Sequence, residues 1–388
     1  MNLKNSISAI ALMAASASLL AQEVINIGVT VPATGPAASL GIPQKNTLEV
    51  LYKEIEGVPV KFTFLDDGGE TAAAVKNMRK LISENKIDIM LGSLVTAPTL
   101  AMSEVAHETK TPLIGFTGNK NTVVPMDEDK KWVFEAAQTD EIMAKAIYDA
   151  IKKQNVKKLA IIGFNDAYGQ LWAREMQGVL KDSDVEIVAN ESFARKDTSV
   201  SGQVLKILSK KPDAVLVATS GTPGALPTRE LRTRGFKGII YHTHGSANGD
   251  FLRVCSTSCE GVILPIGPVV IADQIEDSNP TKAVALSYIE PYEQKFGKGS
   301  ANAFGAYIYD AAILAKAGIS EVLKIGIKPS SEEFRVALRD ALENVTEVVT
   351  TQSVFNMTPE NHSGIDDRSR VLVEIKDNKW VYRPDLLK

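Results

Sequence analysis

Cysteine is nearly absent from this chain: Cys255 and Cys259 are the two cysteines among 388 residues. Two thiols cannot build a disulfide framework, and with four histidines they do not supply a zinc ribbon. Basic excess is missing too. Forty-three Lys and Arg stand against 47 Asp and Glu, a net charge of −4, so nothing suggests the basic stripe of a nucleic-acid binder. The common catalytic signatures are also lacking. There is no G-x-x-x-x-G-K-[ST] phosphate loop, no G-x-G-x-x-G after the first strand and no G-x-S-x-G elbow. His107-Glu108 is not followed by the second His of a zinc-protease helix and reads as a solvated pair. What remains is ordinary globular composition, 44% apolar and 23% charged, in a chain long enough for two or three domains.

The first residues form a targeting pattern. Lys4 precedes an uncharged stretch, Ile7 to Ala21, whose end is crowded with Ala and Ser. That is shorter than the ~20 apolar residues of a membrane span and fits a secretory signal peptide, residues 1–21. A buried N-terminal helix is the alternative. No cysteine follows for a lipid anchor, and no later apolar run approaches membrane length. The mature protein is therefore expected to be soluble, exported and periplasmic. In an oxidising compartment a local Cys255–Cys259 disulfide is favoured over two free thiols. Continuous helix would hold their Cβ atoms too far apart, so the bridge requires a loop or frayed turn, which Ser256-Thr257-Ser258 permits.

From Val24 onward strand and helix signals alternate. Val24–Thr30, Val60–Asp66, Ile87–Leu91 and Leu113–Phe116 are β-prone, and Thr71–Asn85 carries Val75, Met78 and Ile82 at helical spacing. The pattern then repeats. Val185–Phe193, a helix with Val200, Val204, Ile207 and Leu208, the charged turn Lys210-Lys211-Pro212-Asp213 and the strand Ala214–Ala218 parallel Val60–Asp67, the helix from Thr71, the turn ending at Asp88 and the strand Ile89–Leu91. The fold class expected is α/β, two similar doubly wound lobes in tandem, rather than one large sheet. Three helices follow, Pro280–Phe296, Asn302–Leu323 and Ser331–Asn344, and then late strands Val371–Ile375 and Trp380–Tyr382, with a shorter one near Gln352–Phe355. Helices after the second lobe, followed by strands, suggest that the chain returns to lobe one and crosses back. The expected division is 22–138 plus 267–345 for lobe one and 139–266 plus 346–388 for lobe two.

Open α/β sheets bind ligands beyond the carboxyl ends of their strands, where loops enter helix N-termini. In this chain those loops are Val31–Gly41, Gly92–Pro98 and Gly115–Asn119 in lobe one. Lobe two contributes Asn165–Gly169, Ser220–Gly224 and His242–Gly245. Small residues and hydroxyls dominate them, with a few apolar groups. Such a lining suits a small anion held by N–H and hydroxyl donors beside an apolar body, although tight turns alone also favour these residue types.

The run Ile27-Gly28-Val29-Thr30-Val31-Pro32-Ala33-Thr34-Gly35-Pro36 resembles the start of type I periplasmic solute-binding proteins of ATP-binding cassette (ABC) importers, in particular the branched-chain amino acid (Leu/Ile/Val) receptors. Similar matches run through Phe164–Gly169, Ala218–Pro223, Tyr241–Gly245 and Tyr309-Asp310-Ala311. The resemblance implies two lobes joined by three crossovers, closing on a small ligand and delivering it to a membrane permease. With the catalytic signatures missing, no enzyme activity and no cofactor are expected, and a monomer is expected.

One position departs from the receptors. They place a glutamate in a second-lobe loop against the ligand's α-ammonium, and local alignment on Gly235-Phe236-Lys237 and Gly245 puts His244 there. Neutral imidazole cannot neutralise an ammonium, and protonated imidazole repels it. The expected ligand is thus a carboxylate without an α-amino group, an aromatic or branched oxo or hydroxy acid. Thr96, Thr117 and nearby N–H groups are expected to hold it from lobe one, beside Leu40, Leu94, Val95, Phe116 and Gly118. Tyr168, Ser220, Gly221, Thr222 and His244 would complete the pocket from lobe two. The alternatives are that His244 braces its loop, that Asp166 or Asp250 serves an amino group, or that the fold is a ligand sensor for a membrane signalling partner. A metal on His242-x-His244 with Asp250 lacks an assured third ligand.

Overall fold

The computed structural model describes residues 23–387, so the expected leader lies outside them. Two sheets organise the chain. The first contains β1 (Ile25–Val31), β2 (Glu54–Ile55), β3 (Val58–Asp66), β4 (Ile89–Leu91), β5 (Leu113–Gly115) and β6 (Val133–Glu135), in the order β2-β3-β1-β4-β5-β6. The second is built from β7 (Lys158–Phe164), β8 (Glu186–Phe193), β9 (Ala214–Ala218), β10 (Ile239–His242) and β11 (Ile263–Ile266). A short hairpin, β12 (Val348–Val349) with β13 (Val354–Phe355), stands apart, and β14 (Val371–Lys376) and β15 (Lys379–Tyr382) extend the second sheet antiparallel. Its order is β8-β7-β9-β10-β11-β14-β15. The parallel runs β3-β1-β4-β5-β6 and β8-β7-β9-β10-β11 therefore have one topology. The tandem α/β reading holds.

Helices fill the connections: α1 (Ala38–Thr47), α2 (Thr71–Asn85), α3 (Thr96–Thr109), α4 (Asp140–Lys153), α5 (Ala167–Leu180), α6 (Ser201–Ser209), α7 (Ala225–Thr233) and α8 (Gly249–Cys255). Three more follow: α9 (Thr281–Phe296), α10 (Ala303–Lys324) and α11 (Glu332–Leu342). Helices on both faces explain why β4 and β9 are apolar throughout and fully buried. Helix α2 buries Ala74, Met78 and Leu81, with Val75 and Ile82 flanking them half-buried.

The repeat extends to individual hydrogen bonds. After α2, Lys86 turns left-handed (φ 51°) and Asp88 accepts from Asn26 N–H at 2.9 Å, at the start of β1. After α6, Lys211 does the same (φ 49°), and Asp213 accepts from the N–H groups of Lys157 and Lys158 at 2.9 and 2.8 Å, at the start of β7. In each lobe one aspartate pins the entry of the strand beside its own, giving the first N–H groups of that strand an acceptor.

The chain passes between the lobes three times: after β6, between α9 and α10, and between β13 and β14. Packing divides the C-terminal third differently from the sequence expectation. Ile271, Ile275, Ala285, Tyr288 and Tyr292, expected in lobe one, join the core of the second lobe. Phe355 and Met357, expected in lobe two, join the core of the first. An amphipathic pattern shows that a helix buries one face but not which sheet receives it. Cys255 and Cys259 are joined, with Cα atoms 5.6 Å apart. Ser256 (φ 50°) ends α8 between them, providing the break in helix that the spacing required. Among the described residues no helix is long and apolar enough to cross a membrane.

Candidate functional site

Between the lobes lies a cavity. Lobe one lines it with Ala37, Leu40, Leu94, Val95, Thr96, Phe116 and Thr117, together with Phe304 and Tyr307 from α10. Tyr168, Arg195, Ser220, His244 and Gly245 line it from lobe two. Nine of the expected ligand residues are thus on one wall system: Leu40, Leu94, Val95, Thr96, Phe116, Thr117, Tyr168, Ser220 and His244. Gly118, Gly221 and Thr222 are not on the lining. Gly118 (φ +66°) packs where a Cβ would lie 2.3 Å from Gln138 O and 3.5 Å from His244 Nε2, so it lets the lobes approach. Gly221 faces Ser39 and Leu40 across the cleft, and Thr222 opens the short turn before α7.

Thr96 begins α3, whose N-terminus has no side-chain cap. Its first turn therefore offers free N–H groups and a positive dipole end beside the cavity. Thr117 behaves otherwise. Its N–H and hydroxyl donate to the buried Glu135 carboxylate at 3.1 and 2.9 Å, and Thr122 donates a third bond at 2.7 Å. Burial nevertheless pushes Glu135 up to about 7, against those bonds. The donors expected to meet a ligand carboxylate are thus already taken, and Thr117 shapes its loop instead.

The group that sequence reading missed is Arg195. Its Nε donates to Asp166 Oδ2 at 2.5 Å, Nη1 donates to Ser220 Oγ at 2.9 Å, and Cζ sits 4.1 Å over the Phe164 ring. Asp166 is itself fixed, because its other oxygen caps α5 through Tyr168 and Gly169 N–H. The guanidinium is held on three sides, with N–H groups left for a planar anion. Asp166 is therefore Arg195's partner rather than a free counter-ion for an amino group, and Asp250 pairs with Arg253. The signal available was position: Arg195 follows β8 at the carboxyl end of the second sheet. Phe304 and Tyr307 had no comparable signal, since α10 joins the site from far along the chain.

The histidines separate. His242 is hydrogen-bonded inside the lobe to Thr228 at 2.6 Å and Ser246 at 2.9 Å, while His244 lies on the cavity. Burial lowers them to about 3 and about 4 respectively, so both are neutral. Among the described residues no group of three His, Cys, Asp or Glu could hold a metal. Beside His244, burial and the nearby Glu175 charge raise Asp140 well above the usual carboxylate range. Tyr168 is tied through its hydroxyl to Thr243 at 2.9 Å, and Tyr307 donates to Gln138 on the first crossover at 2.7 Å.

The family described as periplasmic binding protein matches residues 24–379. The chain is 43% identical to the solved Rp1789 of Rhodopseudomonas palustris, with TM-score 0.88 over 93% of this chain and 99% of that one. It is 25% identical to the Leu/Ile/Val-binding protein BraC3 of Rhizobium johnstonii, over 89% of this chain and 92% of the relative. An R. palustris ABC transporter solute-binding protein solved with benzoate shares the fold at 19% identity, TM-score 0.72, over 92% of this chain and 95% of that one.

Proposed function

Because the chain belongs to the periplasmic binding protein family, we propose that it is the exported solute-binding component of an ABC importer and captures a small carboxylate without an α-amino group. The carrying observation is Arg195, a guanidinium fixed by Asp166, Ser220 and Phe164 on the cavity wall. The uncapped start of α3 gives a second anion-favouring element from the other lobe. Leu40, Leu94, Phe116 and Phe304 suit an apolar or aromatic body between them. A ligand touching both lobes favours the closed arrangement, because only there are all its contacts made. The closed protein would then present itself to a membrane permease.

The competing reading is an α-amino acid, as the name of BraC3 suggests for that relative. The acidic group beside His244 is Asp140, at 3.9 Å. Burial pushes its pKa well above the usual carboxylate range, which disfavours the charge an ammonium needs. Titration calorimetry with benzoate, 3-phenylpropionate and branched oxo acids against leucine, isoleucine and valine decides between the two. Binding of the first group is expected. Binding of the amino acids alone overturns the reading.

A further inference from the structure

The lobes also meet through charge, away from the cavity. Lys196, after β8, lies 3.6 Å from Glu70, after β3, but these side chains are 75% and 69% exposed. Lys120, in the loop after β5, is placed differently. Its Nζ lies 3.1 and 3.2 Å from the two carboxylate oxygens of Glu175 on α5, and 3.2 Å from Glu141 Oε2 on α4. Both ends of the Lys120–Glu175 contact stand on rigid supports. Thr117 and Thr122, on either side of Lys120 in the chain, both donate to the Glu135 carboxylate, and Val123 anchors the loop in a lobe-one core. Glu175 stands on α5 between Trp172 and Met176, which are buried in the core of lobe two. Its side chain is 10% exposed, and among the described residues Lys120 is the cation that pairs with it. Glu141, by contrast, already has Lys145 at 2.8 Å on its own helix.

Resting on the solute-binding reading above, we propose that Lys120 and Glu175 form an ionic clasp that holds the lobes together before a ligand arrives. Exposed ion pairs contribute little, because water screens them and two long side chains must be ordered. Neither cost falls fully on this pair, whose carboxylate is nearly buried and whose two supports are fixed by their own lobes. Parting the lobes draws the Lys120 charge away from a carboxylate that no other cation covers. Neither residue lines the cavity, so the clasp is indifferent to what the ligand is. A ligand that needs both lobes binds the closed form, and its apparent affinity scales with the fraction of protein already closed. The clasp therefore raises affinity for every ligand by one common factor, whereas Arg195 discriminates among ligands.

Small-angle X-ray scattering on the mature protein, dialysed free of ligand, reads the clasp directly. Lys120→Met and Glu175→Gln are each expected to give a larger radius of gyration than the natural protein. The double variant should be no more open than the more open single, because both changes remove one interaction. Titration calorimetry with benzoate and with 3-phenylpropionate reads the consequence for binding. Lys120→Met should weaken both acids by the same factor, about three- to tenfold. An unchanged radius of gyration in Lys120→Met overturns the clasp, as do additive effects in the double variant or a loss confined to one acid. Lys120→Met changes a loop side chain outside both cores, so it carries the test even where Glu175→Gln fails to fold. If neither acid binds, the carboxylate reading falls, and the scattering still decides the clasp.

Discussion

Replacing Arg195 by Gln removes the guanidinium while keeping a planar polar group of similar reach. Asp166 still accepts from Tyr168 and Gly169 N–H, so α5 stays capped. With the Arg195 side chain 19% exposed, loss of its ion pair costs about 1 kcal/mol of stability. The effect on binding is larger. A charge-assisted hydrogen bond contributes about 1.5–3 kcal/mol, and a carboxylate facing the remaining N–H groups loses one or two. A deficit of about 2–4 kcal/mol weakens affinity roughly 30- to 700-fold. Arg195→Lys keeps the charge without the fork and should fall between. Calorimetry on a bound acid and its carboxamide makes the comparison specific: the acid-to-amide penalty is large in the natural protein and small in Arg195→Gln. If the variant, folded by circular dichroism, binds the acid within threefold of the natural protein, Arg195 is not the anchor. The start of α3 would then carry the carboxylate alone.

Two further outcomes follow from buried groups around the site. Glu135 is raised from the usual glutamate value to about 7, so between about pH 4.5 and 7 the folded protein holds a proton that the unfolded chain has released. Stability from this group is fully present below that window and is lost as pH rises through it, by about 3 kcal/mol at most. Glu135→Gln should flatten that part of the melting-temperature profile, and an unchanged slope assigns it elsewhere. Tyr307→Phe strands Gln138, whose Nε2 is already unpartnered. Urea denaturation should show a loss of about 1–3 kcal/mol, and a neutral result means that water replaces the hydroxyl.

Much of this fold is written locally, and the pieces that are not share one cause. Ala214–Ala218 is an uninterrupted apolar run closed by Asp213 before it and Thr219 after it, and the observed strand has those limits. Thr71–Asn85 is likewise complete as read. The matched turns ending at Asp88 and Asp213 revealed the repeat because each aspartate has the same local task. The site was legible where strand ends announce themselves with Gly, Ser and Thr, as at Gly92-Ser93 and Ser220-Gly221. It was not legible at Thr117, whose loop is small and polar because it wraps Glu135. Nor was it at Arg195, whose setting among charged neighbours Lys196 and Asp197 looks like a solvated turn. Which sheet receives α9, and that α10 brings Phe304 and Tyr307 to the cavity, are long-range choices that no local pattern encodes.

The two lobes share a scaffold yet furnish their strand ends with opposite chemistry. Lobe one brings apolar side chains, a helix N-terminus and a carboxylate, Glu135, that consumes its own loop's donors. Lobe two brings a cation clamped in place and a neutral imidazole. Neither half alone surrounds a small acid: one lacks the fixed charge, the other lacks the wall of Leu40, Leu94 and Phe116. On the proposed reading, capture of the acid would be coupled to closure by composition as well as shape, since the charge partner and the apolar partner arrive from different bodies. Tyr307 joins the cavity to the first crossover, with its ring on the cavity and its hydroxyl on Gln138, where the chain first crosses from one sheet to the other.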